Sequence, residues 1–247
     1  MTRVRADVLL VQRGLCDTRE SAQRLIMAGR ARVGTQTLVK AATLVDQAAD
    51  IALTQPEKFV SRGGLKLEAA LREFAIDPAG RHCLDIGAST GGFTDCLLQA
   101  GAATVLAIDV GRAQLHQKLR DDPRVTLREE TNARDLPELP APVTLFVADV
   151  SFISLRKVLP SVASRVAPET EGVVLLKPQF EAGPADVPRG GVIRDPAVRA
   201  RVLDEFVQWA RAAGWDVRAA IDCPVHGAGG NVEFLLHVAT PGGGRQC

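Results

Sequence analysis

Three short stretches of this chain carry side chains whose type and position could do chemistry. In VVLLKPQF, residues 173–180, an apolar run ends on Lys177 and Pro178 stops it. A strand of an α/β sheet can expose a charge at its carboxyl end, because ligands bind in the crevice there. In LDIGASTGGFTDCLL, residues 84–98, a strand-like run meets a glycine-rich turn and then a helical pattern. Such a turn brings backbone N–H groups close to a ligand. Ser89 stands where a dinucleotide fingerprint needs its second glycine, which counts against a nicotinamide cofactor. In ATVLAIDV, residues 103–110, a second strand ends on Asp109, 24 residues after Asp85. A carboxylate there can accept hydrogen bonds from both ribose hydroxyls of a nucleotide.

The elements that must hold these groups follow a βαβ rhythm from residue 82. Strands are predicted at 82–87, 103–110, 124–129, 143–150 and 172–177. Helices are predicted after the glycine turn, around 113–120, and over LRKVLPSVASRV. Continuous apolar runs of this kind belong to strands covered on both faces, hence to a mostly parallel sheet. WDVRAAID (215–222) and NVEFLLHVA (231–239) flank a Gly/Pro loop and read as an antiparallel pair at one edge, the sixth and seventh strands. EAGPADVPRGGVIRDP (181–196), rich in Gly, Pro and charge, reads as a long loop, either a cover over a bound substrate or a plain surface loop.

A different rhythm precedes this. Val8, Leu9 and Val11 begin a short helix ending near Gly14. CDTRESAQRLIMAG then reads as a second helix, capped by Asp17 or Thr18, burying Ala22, Leu25 and Ile26, and closed by Gly29. Short strands follow around Gly34 and over 49–54. Residues 1–72 carry twelve Lys and Arg against seven Asp and Glu, while the remainder carries eighteen against twenty-two. A basic front on a mildly acidic body suggests a polyanion-binding module. The expected organisation is an α+β module over 1–54, a linker over 55–62 and an α/β domain over 63–247.

Composition closes off several classes. An apolar content of 46% and a charged content of 24% suit a globular protein. No run approaches the ~20 apolar residues of a membrane span, and Asp7 interrupts any signal-peptide pattern early. The five cysteines form no CxxC pair and the four histidines show no ligand spacing. We therefore expect no metal and a reducing cytosol.

Several motifs go further by resemblance. LDIGASTGGFTD, with its acid two residues before Gly87, resembles the first motif of S-adenosylmethionine-dependent methyltransferases. The resemblance implies a Rossmann-like domain binding S-adenosylmethionine through Asp85, Gly87, Ala88, Ser89, Gly91, Gly92, Phe93, Asp109, Val110, Asn132 and Asp149. The loop after the fourth strand, ADVSFISL, lacks the Pro-Pro of amino-methylating enzymes of that fold. It also offers no cysteine to attack a pyrimidine carbon, and Cys96 and Cys223 read as structural. A hydroxyl oxygen remains as acceptor. Lys66 in RGGLKL, Asp149 in VADVSF, Lys177 in LLKPQF and Glu233 in NVEFLL resemble the Lys-Asp-Lys-Glu tetrad of FtsJ-type ribose 2′-O-methyltransferases.

TRESAQRLIMAGRARVG resembles the RNA-binding domain first seen in small-subunit ribosomal protein four. That implies phosphate contacts by Arg5, Arg19, Arg24, Arg30 and Arg62. With SRGG, DVSFISL, KPQFE and GNVEF added, nearly the whole chain resembles the TlyA family of haemolysin-named ribosomal RNA 2′-O-methyltransferases. Gly64 stands where many members carry alanine, a small change. The resemblance implies a cytidine of ribosomal RNA as substrate, ribosomal subunits as partners, a cytoplasmic location and no stable membrane association. The short ends of the chain lean towards the large subunit, with the small subunit left open. A lysine in water titrates near ~10.4, so a lysine base must be crowded by another cation or desolvated. Lys177 is expected either to take the proton or to orient the ribose oxygen, with Lys66 stabilising oxyanion charge. Phe152 and Phe180 could stack on a base or belong to the core. A non-catalytic RNA-binding factor and a membrane-active haemolysin remain as competing functions.

Overall fold

The computed structural model describes residues 2–54 and 57–242. The chain divides into two compact units, Met1–Glu57 and Lys58–Cys247.

In the small unit, β1 (Arg3–Arg5) runs directly into α1 (Ala6–Gln12). α2 (Arg19–Met27) is capped by Thr18, whose hydroxyl oxygen accepts the Ser21 N–H at 3.1 Å. Four short strands follow: β2 (Ala31–Val33), β3 (Gln36–Leu38), β4 (Leu44–Asp46) and β5 (Ile51–Leu53). β2 pairs antiparallel with β3 and β5, and β1 pairs with β4. Leu9, Leu10, Ala22, Ile26 and Ala31 form its core. Leu25, expected inside, is only half-buried. β1 was not anticipated, because the three residues Arg-Val-Arg are too few for an alternation to be read as a strand.

The large unit begins inside the expected linker. Phe59 is 5% exposed within the unit's core, so Lys58–Arg62 belongs to the α/β body. Gln55 and Pro56 of that linker lie outside the described residues. α3 (Gly63–Glu73) leads to β6 (His82–Ile86), α4 (Gly92–Gln99), β7 (Thr104–Ile108), α5 (Gln117–Arg120) and β8 (Val125–Arg128). Then come β9 (Leu145–Ala148), α6 (Leu159–Ala163), β10 (Glu171–Leu176), α7 (Pro178–Glu181), α8 (Pro196–Ala212), β11 (Asp216–Asp222) and β12 (Phe234–Ala239). The seven strands lie in the order β11-β12-β10-β9-β6-β7-β8. β12 is antiparallel to both neighbours, and the other pairings are parallel.

Side-chain alternation explains the apolar runs. Cys83, Val105, Ala107, Leu145, Val147, Val173, Leu175 and Leu235 pack on the α3/α4 side. Leu84, Ile86, Leu106, Ile108, Phe146, Val174, Leu176 and Leu236 pack on the other, with Phe206 and Ala210 of α8. Both faces are covered over the centre of the sheet, so both phases of β6, β7, β9 and β10 are apolar. The helix expected around 113–120 shortens to α5, since Asp109 Oδ1 holds the Gly111 N–H at 2.7 Å and makes a turn first. α8 was not anticipated either. Asp195 and Pro196 resemble the end of a loop, yet they are its N-cap and first residue. Among the described residues no helix is long and apolar enough to cross a membrane.

This topology gathers the chemistry on one rim. The carboxyl ends of β6, β7, β9 and β10 open at one edge, where the strand order reverses beside β6. Because β12 runs the other way, the residue preceding it reaches the same rim.

Gly64 is not a small change in this setting. A Cβ there would overlap Cβ and Cγ of Phe59, atoms near that residue's own backbone. Gly64→Ala should therefore destabilise the unit by roughly 1–3 kcal/mol, as overpacking does. Thermal melting of the variant, alone and with Phe59→Leu, checks this; an unchanged midpoint in the single variant contradicts it.

Candidate active site

The glycine turn after β6 is tied to the neighbouring strand. Gly87 and Ala88 donate their N–H groups to the Ile108 carbonyl at 2.8 and 3.1 Å. Gly87 has φ +83°, and a Cβ there would lie 2.6 Å from the Asp149 carbonyl oxygen, so only glycine lets the turn close on the end of β9. Asp109 then accepts the Ser89 N–H through Oδ2 at 2.8 Å and the Gly111 N–H through Oδ1 at 2.7 Å. Its carboxylate is fixed at the rim with lone pairs to spare.

A cleft of about 740 Å³ opens here, lined among others by Gly87, Ser89, Asp109, Val110, Asn132, Asp149, Phe152 and Phe180. A smaller cavity of about 110 Å³ adjoins it, lined among others by Ala88, Gly92, Phe93, Ser151 and Lys177. Nine of the eleven residues expected at a donor therefore line one of the two spaces. Gly91 lines neither, and packs towards Leu115 and Leu119. Asp85 lines neither as well. The residues present fit a cationic ligand bearing a vicinal diol: two carboxylates, Asp109 and Asp149, flank a turn with no Cβ at its tightest point.

The four residues of the expected tetrad form two ion pairs at this rim. Lys177 Nζ lies 2.6 Å from Asp149 Oδ1 and donates to Ser151 Oγ at 2.8 Å. Lys66 Nζ, from α3, donates to Glu233 Oε2 at 2.5 Å, and both are nearly inaccessible. Leu176 pairs with Phe234, so Lys177 and Glu233 leave adjacent strands at the same level. Only glycine at 227 leaves room for the Glu233 carboxylate. Asn231 fastens the 181–196 segment beside it, giving its Nδ2–H to the Gly191 carbonyl at 3.0 Å and accepting the Ile193 N–H at 3.1 Å. Ser151 and Asn231 were not anticipated. Their one sequence signal was position, each two residues from a tetrad carboxylate. Phe152 and Phe180 meet at a ring-centroid distance of 5.2 Å, with Phe152 91% exposed. Burial pushes the Cys96 thiol up to about 12 and the Cys223 thiol upward, which suits structural roles.

In the small unit the arginines are less free than expected. Asp7 is fully buried and accepts from Arg5 at 3.0 and 2.8 Å, Gln23 at 2.9 Å and Arg19 at 3.4 Å. The bonds from Arg5 hold the Asp7 carboxyl far below the usual carboxylate range, against the opposing effect of burial. Arg30 donates through Nε to the Thr54 carbonyl at 3.0 Å. Arg24 is exposed. Arg62 belongs to the large unit and precedes α3.

Comparisons with known proteins agree with this geometry. The FtsJ-like methyltransferase family pattern matches residues 59–240. The chain is 48% identical over 242 residues to the 16S/23S rRNA (cytidine-2′-O)-methyltransferase TlyA of Mycobacterium tuberculosis, covering 96% of this chain and 90% of that protein. It is 40% identical to Hemolysin A of Brachyspira hyodysenteriae, over 95% of this chain and 99% of the other. A solved haemolysin-named structure from Streptococcus thermophilus superposes with a TM-score of 0.74 at 39% identity, covering 98% and 90% of the two chains.

Asp85, expected among the donor-binding residues, is fully buried beneath α4. Its Oδ2 accepts the Thr94 hydroxyl at 2.6 Å, and its Oδ1 has no hydrogen-bond partner. Burial first, then the nearby Asp149 and Asp109, push its carboxyl up to about 7, against the Thr94 bond. The folded protein thus holds this proton more tightly than the unfolded chain, whose aspartates titrate near ~3.9. The stabilising contribution is present at low pH and is lost as pH rises towards and through about 7. Asp85→Asn should flatten the fall in stability between pH 5 and 8, by up to about 1.4 kcal/mol for each pH unit over which the folded state keeps the extra proton. Urea unfolding of both proteins across that range is the check; parallel curves would mean the carboxyl is ionised throughout.

Proposed function

The chain belongs to the FtsJ-like methyltransferase family and to the TlyA group within it, and from that membership we propose that it methylates the ribose 2′-oxygen of a cytidine in ribosomal RNA. The observation that carries the reading is the convergence of two lysine–carboxylate pairs beside the glycine turn. A protein that only bound RNA would have no use for Lys66 and Glu233 buried together, because desolvating such a pair costs several kcal/mol per ion.

S-adenosylmethionine, when bound, supplies an electrophilic methyl group. Asp109 would hold the ribose hydroxyls of that donor, and Asn132, Val110 and the turn at Gly87 would line the rest of its site. Transfer then needs an aligned oxygen more than a strong acid. Lys177 provides the alignment. One N–H is given to Ser151 Oγ and the Asp149 carboxylate balances the charge at 2.6 Å, leaving a donor for the acceptor oxygen. Held this way, the ammonium orients the 2′-oxygen and stabilises its developing charge as the hydroxyl proton passes to solvent water. Lys66 is held at the same rim by its ion pair with Glu233. Phe152, exposed at the mouth beside Phe180, offers a face on which the acceptor base stacks. We place the reaction in the cytoplasm, in keeping with the free cysteines Cys16, Cys83, Cys96 and Cys223.

Lys177→Ala should lower the single-turnover rate by roughly 10²–10³, as loss of a charge-stabilising donor does, while donor and RNA still bind. Lys177→Arg keeps the charge but cannot act as a base near neutrality. It should retain measurable activity if the ammonium is the working form. An arginine variant as inactive as alanine would move the proton-accepting role onto Nζ, and full activity in alanine would remove the lysine from the mechanism.

The small unit contributes RNA affinity through phosphates. Arg24→Glu should weaken RNA binding and flatten its log-log salt dependence by about one unit, without changing donor affinity. Arg19→Glu should also lower the melting temperature, because Asp7 loses a partner. Binding titrations at several salt concentrations separate the two; an unchanged slope for Arg24→Glu would leave it merely solvated.

A further inference from the structure

Phe152 combines two features that rarely coincide. It is a bulky residue at φ +62°, and it is 91% exposed. A left-handed phenylalanine is strained, and such strain persists only where surrounding structure over-determines it. A ring so exposed has little packing of its own to supply that restraint. The force must come from the flanking backbone.

Both flanks are held by one short segment, Lys177–Glu181. On the upstream side, Ser151 Oγ accepts from Lys177 Nζ at 2.8 Å. On the downstream side, Glu181 reaches across. Its Oε2 accepts the Ser154 hydroxyl at 2.7 Å and its Oε1 accepts the Leu155 N–H at 2.6 Å. Ser154 Oγ in turn accepts the Arg156 N–H at 3.1 Å, capping a 3₁₀ turn over Leu155–Lys157. Arg156 Nε lies 3.7 Å from Glu181 Oε2, and its guanidinium sits 5.9 Å from the centre of the Trp209 ring on α8. The Glu181 side chain is only 2% exposed. Burial pushes its carboxyl upward even with these donors around it, so this position costs stability.

We infer that Glu181 is a positioning residue for the acceptor nucleotide: its buried carboxylate fixes Ser154 and Leu155, and so holds Phe152 in its strained, outward conformation. The inference rests on the reading of the cleft as an RNA methylation site and adds what sets its acceptor face. Without the clamp, the 151–155 turn can relax to negative φ and withdraw the ring. Glu181 touches neither reactant in this scheme, so its loss should appear in RNA use and not in donor affinity.

The test compares Glu181→Ala, Glu181→Gln, Phe152→Ala and the Glu181→Ala/Phe152→Ala pair on ribosomal RNA. Single-turnover rate against RNA concentration, donor affinity by calorimetry and thermal melting are read for each. Glu181→Ala should lower kcat/KM for RNA at least tenfold while the donor Kd stays within twofold. Glu181→Gln should recover part of the loss, since its carbonyl can still accept the Leu155 N–H. Added to Phe152→Ala, the glutamate change should cost less than a further twofold. Independent losses in the pair, or donor affinity falling in step with RNA use, would overturn the inference. Should Glu181→Ala fail to fold, Ser154→Ala takes its place, with the same sub-additivity towards Phe152→Ala required. Wild-type kinetics in both Phe152→Ala and Lys177→Ala would instead bring down the methylation reading itself.

Discussion

Lys66 and Glu233 can share a buried position only because each neutralises the other. Separated by 167 positions and joined at 2.5 Å, they bind α3 to the start of β12. Removing either would strand a buried charge, which is far costlier than the pair itself. The contact depends on β12 running against its neighbours, since only then does the residue before it arrive at the rim where β9 and β10 end. Sheet direction and site chemistry are the same constraint seen twice.

From that fixed point the site divides into two halves. On the β6/β7 side, backbone N–H groups and one carboxylate make a rigid receptor, with Asp109 engaged at both oxygens. Beyond β9, the groups are lysines and phenylalanines, and they are restrained largely by ionic and side-chain contacts. A donor common to many enzymes suits the first construction. The nucleotide acceptor proposed above would suit the second, because an exposed aromatic face can stack on an unpaired base. Asp85 sits beneath both halves as a buried acid whose neighbours are other acids, which raises its proton affinity without giving it a contact to the cleft.

Much of the fold was legible in the chain. The central strands β6, β7, β9 and β10 follow from continuous apolar runs, because strands covered on both faces have no polar phase to break the signal. The Thr18 cap and the end of α2 follow from local hydrogen bonding that needs nothing distant. α8 escaped because Asp195-Pro196 serves loops and helix starts equally, and only the packing of Phe206 and Ala210 against the sheet decides between them. The end of the expected linker moved for a similar reason: Phe59 is an unremarkable aromatic until α3 and α4 enclose it.

The sequence by itself determined the kinds of groups present and the strand ends that carry them: Asp109, Asp149 and Lys177 each terminate an apolar run, a relation set by local geometry. Which groups pair was decided only by the tertiary structure. Nothing local distinguishes Asp85 from Asp109, both acids at strand ends, yet one turns beneath α4 and the other holds the rim. Nothing local announces that Arg19 serves Asp7, or that Glu181 serves Ser154 and Leu155. Side-chain type and strand phase are written residue by residue. Burial and partnership are properties of what the rest of the chain brings alongside, and they set whether a charge is spent on structure or left for a ligand.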